Sequence, residues 1–141
     1  MKKSKPVNEA ALRKRYNCGP VKLSGDANAL YERHVMFDQV IPAAQTTARE
    51  KYEAIAHSVR DVLSQRWLKT QQTYQQRNVK RVYYLSMEFL PGRMLANNIT
   101  NLLLDPSWSR FCEQHQLDPL AIVEQEPDPG LGNGGLGRLA A

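Results

Sequence analysis

The sequence predicts an α/β fold, mostly helical with one strand near residues 81–89, and three observations carry that expectation. Apolar residues recur every three or four positions from Tyr52 to Tyr74, the period of a helix with one buried face. The run VYYLSMEFL, Val82 to Leu90, then replaces helix formers with β-branched and aromatic residues, as a short buried strand does. Finally, five glycines lie between Gly130 and Gly137, where a glycine-rich turn should lead into a helix.

The whole composition suits a soluble domain with a single core: of 141 residues, 42% are apolar and 8% aromatic. Whole-chain disorder and fibre are excluded. Nothing approaches the ~20 consecutive apolar residues that span a bilayer, and MKKSKPVNEA lacks the apolar stretch of a signal peptide. A cytoplasmic location without membrane association is expected. The net charge of +5 is local, because residues 1–25 hold seven basic groups against Glu9 alone. This basic arm suits an acidic surface or simply a solvated terminus, and with Tyr16 as its one aromatic it does not suit nucleic acid. Cys18 and Cys112 form no CxxC, and His34, His57 and His115 are isolated along the chain. Neither a disulfide framework nor a metal site is expected.

In chain order, Asp26 offers an N-cap to a short helix on which Leu30, His34, Phe37 and Ile41 share a face. Pro42 ends it. Thr47 with Glu50 three residues later is a capping-box signature, so a long helix should start there and run to about Gln76 with Tyr52, Ile55, Val59, Leu63, Trp67 and Tyr74 on its apolar stripe. The strand follows, then a Pro91-Gly92 turn. Three helices complete the chain: about 94–104, one around Trp108 and Phe111, and one capped by Asp118 with Pro119 in its first turn. A single strand leaves its ladder groups unpaired, and the sequence stops inside the glycine-rich segment. Both features suggest a truncated chain whose strand partners lie outside it.

Two places carry chemistry. The segment Gly130 to Gly137 fits a G-x-G-x-x-G pattern in two registers, and such a backbone lets amide groups converge on an anion, with Asn133 capping a following helix and Gly134, Gly135 and Leu136 as first-turn donors. A ligand-free loop fits equally well, because a dinucleotide site needs a strand directly before the glycines and EQEPDP stands there. Glu88 is a carboxylate among apolar residues at a strand end, placed either to meet a ligand or to cap a helix or pair with Arg93.

The stretch VYYLSMEFLPGRMLANNITNL (Val82 to Leu102), followed at the same order and spacing by DPGLGNGGLGRLAA (Asp128 to Ala141), strongly resembles the glycogen (α-glucan) phosphorylases. VRDVLSQRWLKTQQTY (Val59 to Tyr74) is similar to the long N-terminal helix of that family. The resemblance runs from about Ala27 to the last residue. It implies that residues 26–141 begin the N-terminal domain of a much longer, two-domain Rossmann-like enzyme of the glycosyltransferase-B type. It also implies phosphorolysis of terminal α-1,4-glucosyl units to glucose 1-phosphate, with pyridoxal phosphate as cofactor and the attachment lysine outside this chain. Glucan and inorganic phosphate would be the partners, and the parent would be a homodimer.

Carried over by residue, the resemblance puts Asn133, Gly134, Gly135 and Leu136 in the loop facing the glucosyl unit and the phosphates. Gly134 and Gly135 would donate backbone amides to phosphate oxygens, and Asn133 and Leu136 would face substrate. Glu88 would line the same cleft and hold that loop, with no catalytic residue set complete in the chain. Leu90, Gln75 and Pro42 depart from the animal pattern, at a cofactor-side tyrosine, an adenine-stacking ring and an acidic turn residue respectively. The chain therefore reads as bacterial-like and not strongly activated by AMP. Two other readings compete: a stand-alone phosphate- or nucleotide-binding module, and a docking surface formed by the arm and the long helix.

Overall fold

A computed structural model describes residues 29–127 together with Gly130 and Gly132. The arm at 1–25, Asp26, Asn133, Gly134, Gly135 and Leu136 lie outside the described residues. Helix α1 (Leu30–His34) passes directly into one π-helical turn, Val35–Gln39, which Val40 ends with φ +55°. A β-branched residue is seldom found there. A short 3₁₀ turn, Ala43–Gln45, leads to the long helix α2 (Ala48–Arg77), after which come α3 (Leu95–Asn101), α4 (Asp105–His115) and α5 (Pro119–Val123).

Local signals set the ends of these helices. The Glu50 amide donates to Thr47 Oγ1 at 3.3 Å and the Thr47 amide donates to Glu50 Oε2 at 2.7 Å, so the capping box expected at this point is formed. Asn78 closes α2 in the left-handed conformation that asparagine tolerates. Asp118 Oδ1 accepts from the Leu120 amide at 2.9 Å, with Pro119 at the first helical position. Gly92 has φ +66° with open space around it, so the turn needs its conformational freedom and not its small size.

Helix α2 organises the core. α1 with its π turn, α3 and α5 each pack against it, and α4 packs on α3. The buried stripe of α2 is Tyr52, Ile55, Val59 and Val62, backed by Ala54 and by Ser58, whose hydroxyl bonds the Ala54 carbonyl at 2.7 Å. Phe111 of α4 sits at the centre, in edge contact with Tyr31 at 4.8 Å between ring centroids and stacked on Trp108 at 5.8 Å. Leu95, Ile99, Leu102, Leu104 and Ile122 fill the remaining space.

Three expectations need correction. The described residues contain no strand: 79–94 are irregular, Phe89 makes one isolated bridge, and Val82, Tyr83, Tyr84, Leu85 and Met87 are exposed, Leu85 to 91%. The α/β expectation with a strand near 81–89 therefore fails, and the described chain is helical. The cause is non-local. Strand composition confers a preference, but a strand exists only in a ladder with a partner, and no described segment supplies one. In the first helix the wide π turn rotates the buried face, so that Tyr31, His34 and Val35 point inward while Phe37 is exposed. On α2, Val62 takes the buried position expected of Leu63. Among the described residues no helix is long and apolar enough to cross a membrane.

Candidate functional site

The two sequence stretches singled out for chemistry meet in space. Glu88 follows a tight local turn in which its amide donates to Ser86 Oγ at 3.1 Å and that hydroxyl donates to the Glu88 carbonyl at 2.8 Å. The turn presents a half-buried Glu88 side chain to Gly132. A Cβ on Gly132 would stand 2.8 Å from Glu88 Cγ and 3.3 Å from its Cα, and Gly132 has φ +154°. Both the space and the conformation require glycine there. The start of the glycine-rich segment thus lies directly on Glu88.

That segment is approached through an anchor that sequence reasoning missed. Glu126 is buried, and its two carboxylate oxygens accept from the Met94 and Leu95 amides at 2.8 and 2.9 Å. It caps α3 from a distance of more than thirty residues along the chain, meeting amides that have no partner within their own helix. Next to it Arg49 donates to the Gln125 carbonyl at 2.8 Å and pairs with Glu53. Burial, reinforced by the Glu126 charge, pushes the Tyr52 hydroxyl above its ordinary range. The hydrogen bonds from Arg49 and Gln39 hold Glu53 below the usual carboxylate range. Residues 125–126 are therefore tied both to the first turn of α2 and to the start of α3, close before the glycines. A carboxylate in EQEP carries no local mark of such a distant cap.

A second cluster was also missed. His34, Asp38, His57 and Asp61 converge where the π turn lies on α2: His34 Nδ1 is 2.5 Å and His57 Nδ1 3.0 Å from one oxygen of Asp38, and His34 Nε2 is 3.1 Å from Asp61. Arg33 pairs with the same Asp61 oxygen. The two histidines read as isolated along the chain are thus in ring contact, 5.4 Å between centroids. Each has an aspartate four residues after it, a repeated H-x-x-x-D spacing that was legible in the sequence.

Comparison with known proteins finds a similarity that runs along the chain. Essentially its whole length matches a segment of the glycogen phosphorylases. It is 43% identical over 141 residues to the brain form of glycogen phosphorylase from Bos taurus and 42% identical to the brain form from Homo sapiens, 98% of this chain being covered in each case. To the muscle form from Homo sapiens it is 48% identical over 111 residues, 79% of the chain. The chain spans 17% of the length of the brain forms and 13% of the muscle form. No protein-family model matches it.

Proposed function

We propose that this chain is part of an α-glucan (glycogen) phosphorylase, acting on terminal α-1,4-glucosyl units with inorganic phosphate to release glucose 1-phosphate. Similarity to glycogen phosphorylases along 98% of the chain carries the reading. The contact of Glu88 with Gly132 supports it from the geometry, since Glu88 meets the glycine that directly precedes Asn133. On this reading residues 26–141 begin the N-terminal domain, and residues 1–25 are a basic arm. The backbone amides of Gly134 and Gly135 meet phosphate oxygens, Asn133 and Leu136 face the glucosyl unit, and Glu88 positions the loop. Pyridoxal phosphate, which this reading implies, would be held by a lysine outside these 141 residues and would supply a phosphate group for proton transfer. The close packing of Gly132, which admits no side chain, fits a loop set for backbone approach to such groups.

The parent enzyme on this reading is a cytoplasmic homodimer of bacterial-like type. The linker PAAQTTA is small and uncharged, and beside it an open hollow of about 450 Å³ is lined by Tyr31, Val35, Met36, Val40, Ile41 and Pro42. Light scattering of the full-length polypeptide should show a dimer, and AMP at subsaturating phosphate should change its activity little.

Activity is tested on a polypeptide extended to the length of the relatives and supplied with pyridoxal phosphate, glycogen and phosphate. It should make glucose 1-phosphate, and the 141-residue chain should make none. Gly135→Val in the extended protein should lower turnover by on the order of 100-fold while the protein stays folded, as when a preorganised backbone donor is lost. No phosphorolysis by the extended protein would reject the reading. Unchanged kinetics in Gly135→Val would remove the loop from the mechanism.

A further inference from the structure

We propose that His34, Asp38 and His57 form a binding site for a divalent transition-metal ion such as zinc, a site independent of the phosphorylase reading. The donor atoms, one from each residue, all lie within 4.8 Å of one another. A tetrahedral ion with bonds of 2.0–2.2 Å holds its ligand atoms about 3.4 Å apart, so ligand atoms now up to 4.8 Å apart must close in and Asp38 must withdraw by about 1 Å. It can do so because it is exposed and sits at the end of the π turn, whereas His34 is buried and fixed.

The groups around His34 suit a metal-bound imidazole. Its Nε2 faces Asp61, and Asp61 is held in turn by Arg33 and lies 3.8 Å from Arg60. This is the carboxylate–histidine arrangement that orients metal-bound imidazoles, with the ring N–H donated away from the metal. In the tautomer that donates from Nε2 to Asp61, Nδ1 keeps a lone pair that an ion can take. Without an ion, Nδ1–H donates instead to the Asp38 oxygen 2.5 Å away. His57 Nδ1 reaches the same oxygen at 3.0 Å, so both imidazoles meet at one carboxylate, beside which an ion would sit. An imidazole–imidazole–carboxylate set favours zinc and its neighbours over calcium or magnesium. The half-exposed His57 and Asp38 leave that point open to solvent, where water completes the coordination shell. Because the ligands come from the π turn and from α2, the ion would strap the start of the chain to the long helix.

The test uses the 141-residue chain with Cys18→Ser, freed of metal, titrated with zinc by calorimetry and with cobalt by visible absorption. One ion per chain is expected, with the absorption of a four-coordinate nitrogen–oxygen site and a rise in thermal midpoint at saturating zinc. His57→Gln and Asp38→Asn should each weaken binding at least tenfold. Asp61→Asn, which leaves every ligand in place, should weaken it 10- to 100-fold. Far-UV circular dichroism checks that the variants keep their helices, and all three replaced side chains are partly exposed, so the core is undisturbed. The proposal is overturned if the parent chain binds no zinc or cobalt at micromolar concentration. It is equally overturned if binding is unchanged in both His57→Gln and Asp38→Asn.

Discussion

Residues 48–62 and 63–77 are two halves of one unbroken helix, both carrying apolar residues at helical spacing, yet they meet opposite environments. The first half is buried at Tyr52, Ile55, Val59 and Val62. The second exposes Leu63, Trp67, Leu68 and Tyr74, Trp67 to 61%, and the apolar run 82–87 after it is exposed as well. Backbone hydrogen bonds and caps suffice to carry a helix onward once packing has secured one end of it. Amphipathic spacing therefore specifies a face and says nothing of whether a cover is present. The second half is held by lighter ties: Arg66 donates to the Leu102 carbonyl at 2.7 Å, and Arg81 lies over the Tyr74 ring at 5.9 Å.

The sharpest way to break this contrast is at Phe111. Phe111→Ala empties the centre of the aromatic cluster and should cost about 3–5 kcal/mol in urea unfolding of the 141-residue chain. A cost below about 1 kcal/mol would mean that the core is not where these contacts put it.

Next comes Glu126→Ala, which strips the start of α3 of two charge-assisted acceptors. A loss of about 2–3 kcal/mol is expected, with faster amide exchange at Met94 and Leu95. Unchanged exchange at those two amides would show that the cap is not formed in solution.

Thiol chemistry separates the halves with little change in stability. Burial, with a smaller contribution from the Asp118 charge, pushes the Cys112 thiol up to about 11. Its reactive thiolate is therefore scarce at pH 8 and becomes abundant only as pH rises past that value. In a Cys18→Ser background Cys112 should be labelled at least ~100-fold more slowly than a cysteine placed on the exposed half by Ser64→Cys. Equal rates would deny that the two regions differ.

The smallest effect is expected from Trp67→Ala and Leu85→Ser, each within about 0.5 kcal/mol of the parent chain, with dye binding to exposed apolar surface reduced. A Trp67→Ala cost like that of Phe111→Ala would place the second half of the helix in a packed environment after all.

What could be read from sequence follows from how far each interaction reaches. The capping box at Thr47, the Asp118-Pro119 start and the length of α2 depend on residues within four positions, and all three were legible. The strand near 81–89 was misread because ladder pairing is a property of two segments and only one was in view. Glu126 and the His34–Asp38–His57 cluster depend on segments up to 32 residues apart, so only the H-x-x-x-D repeat gave a local trace. The proximity of Glu88 to Gly132 joins two motifs that the sequence marked separately, each for its own chemistry.

Thirty residues at 1.5 Å each make α2 about 45 Å long, and its buried positions end at Val62, halfway along. The arrangement has the mechanics of a lever. A tilt of about 5° at the packed end sweeps the far tip through roughly 2 Å over the remaining 22 Å or so, enough to break a hydrogen bond there. Small repacking around Tyr52 and Val59 is thereby converted into displacement at Tyr74, while adjustments among the core side chains themselves stay small.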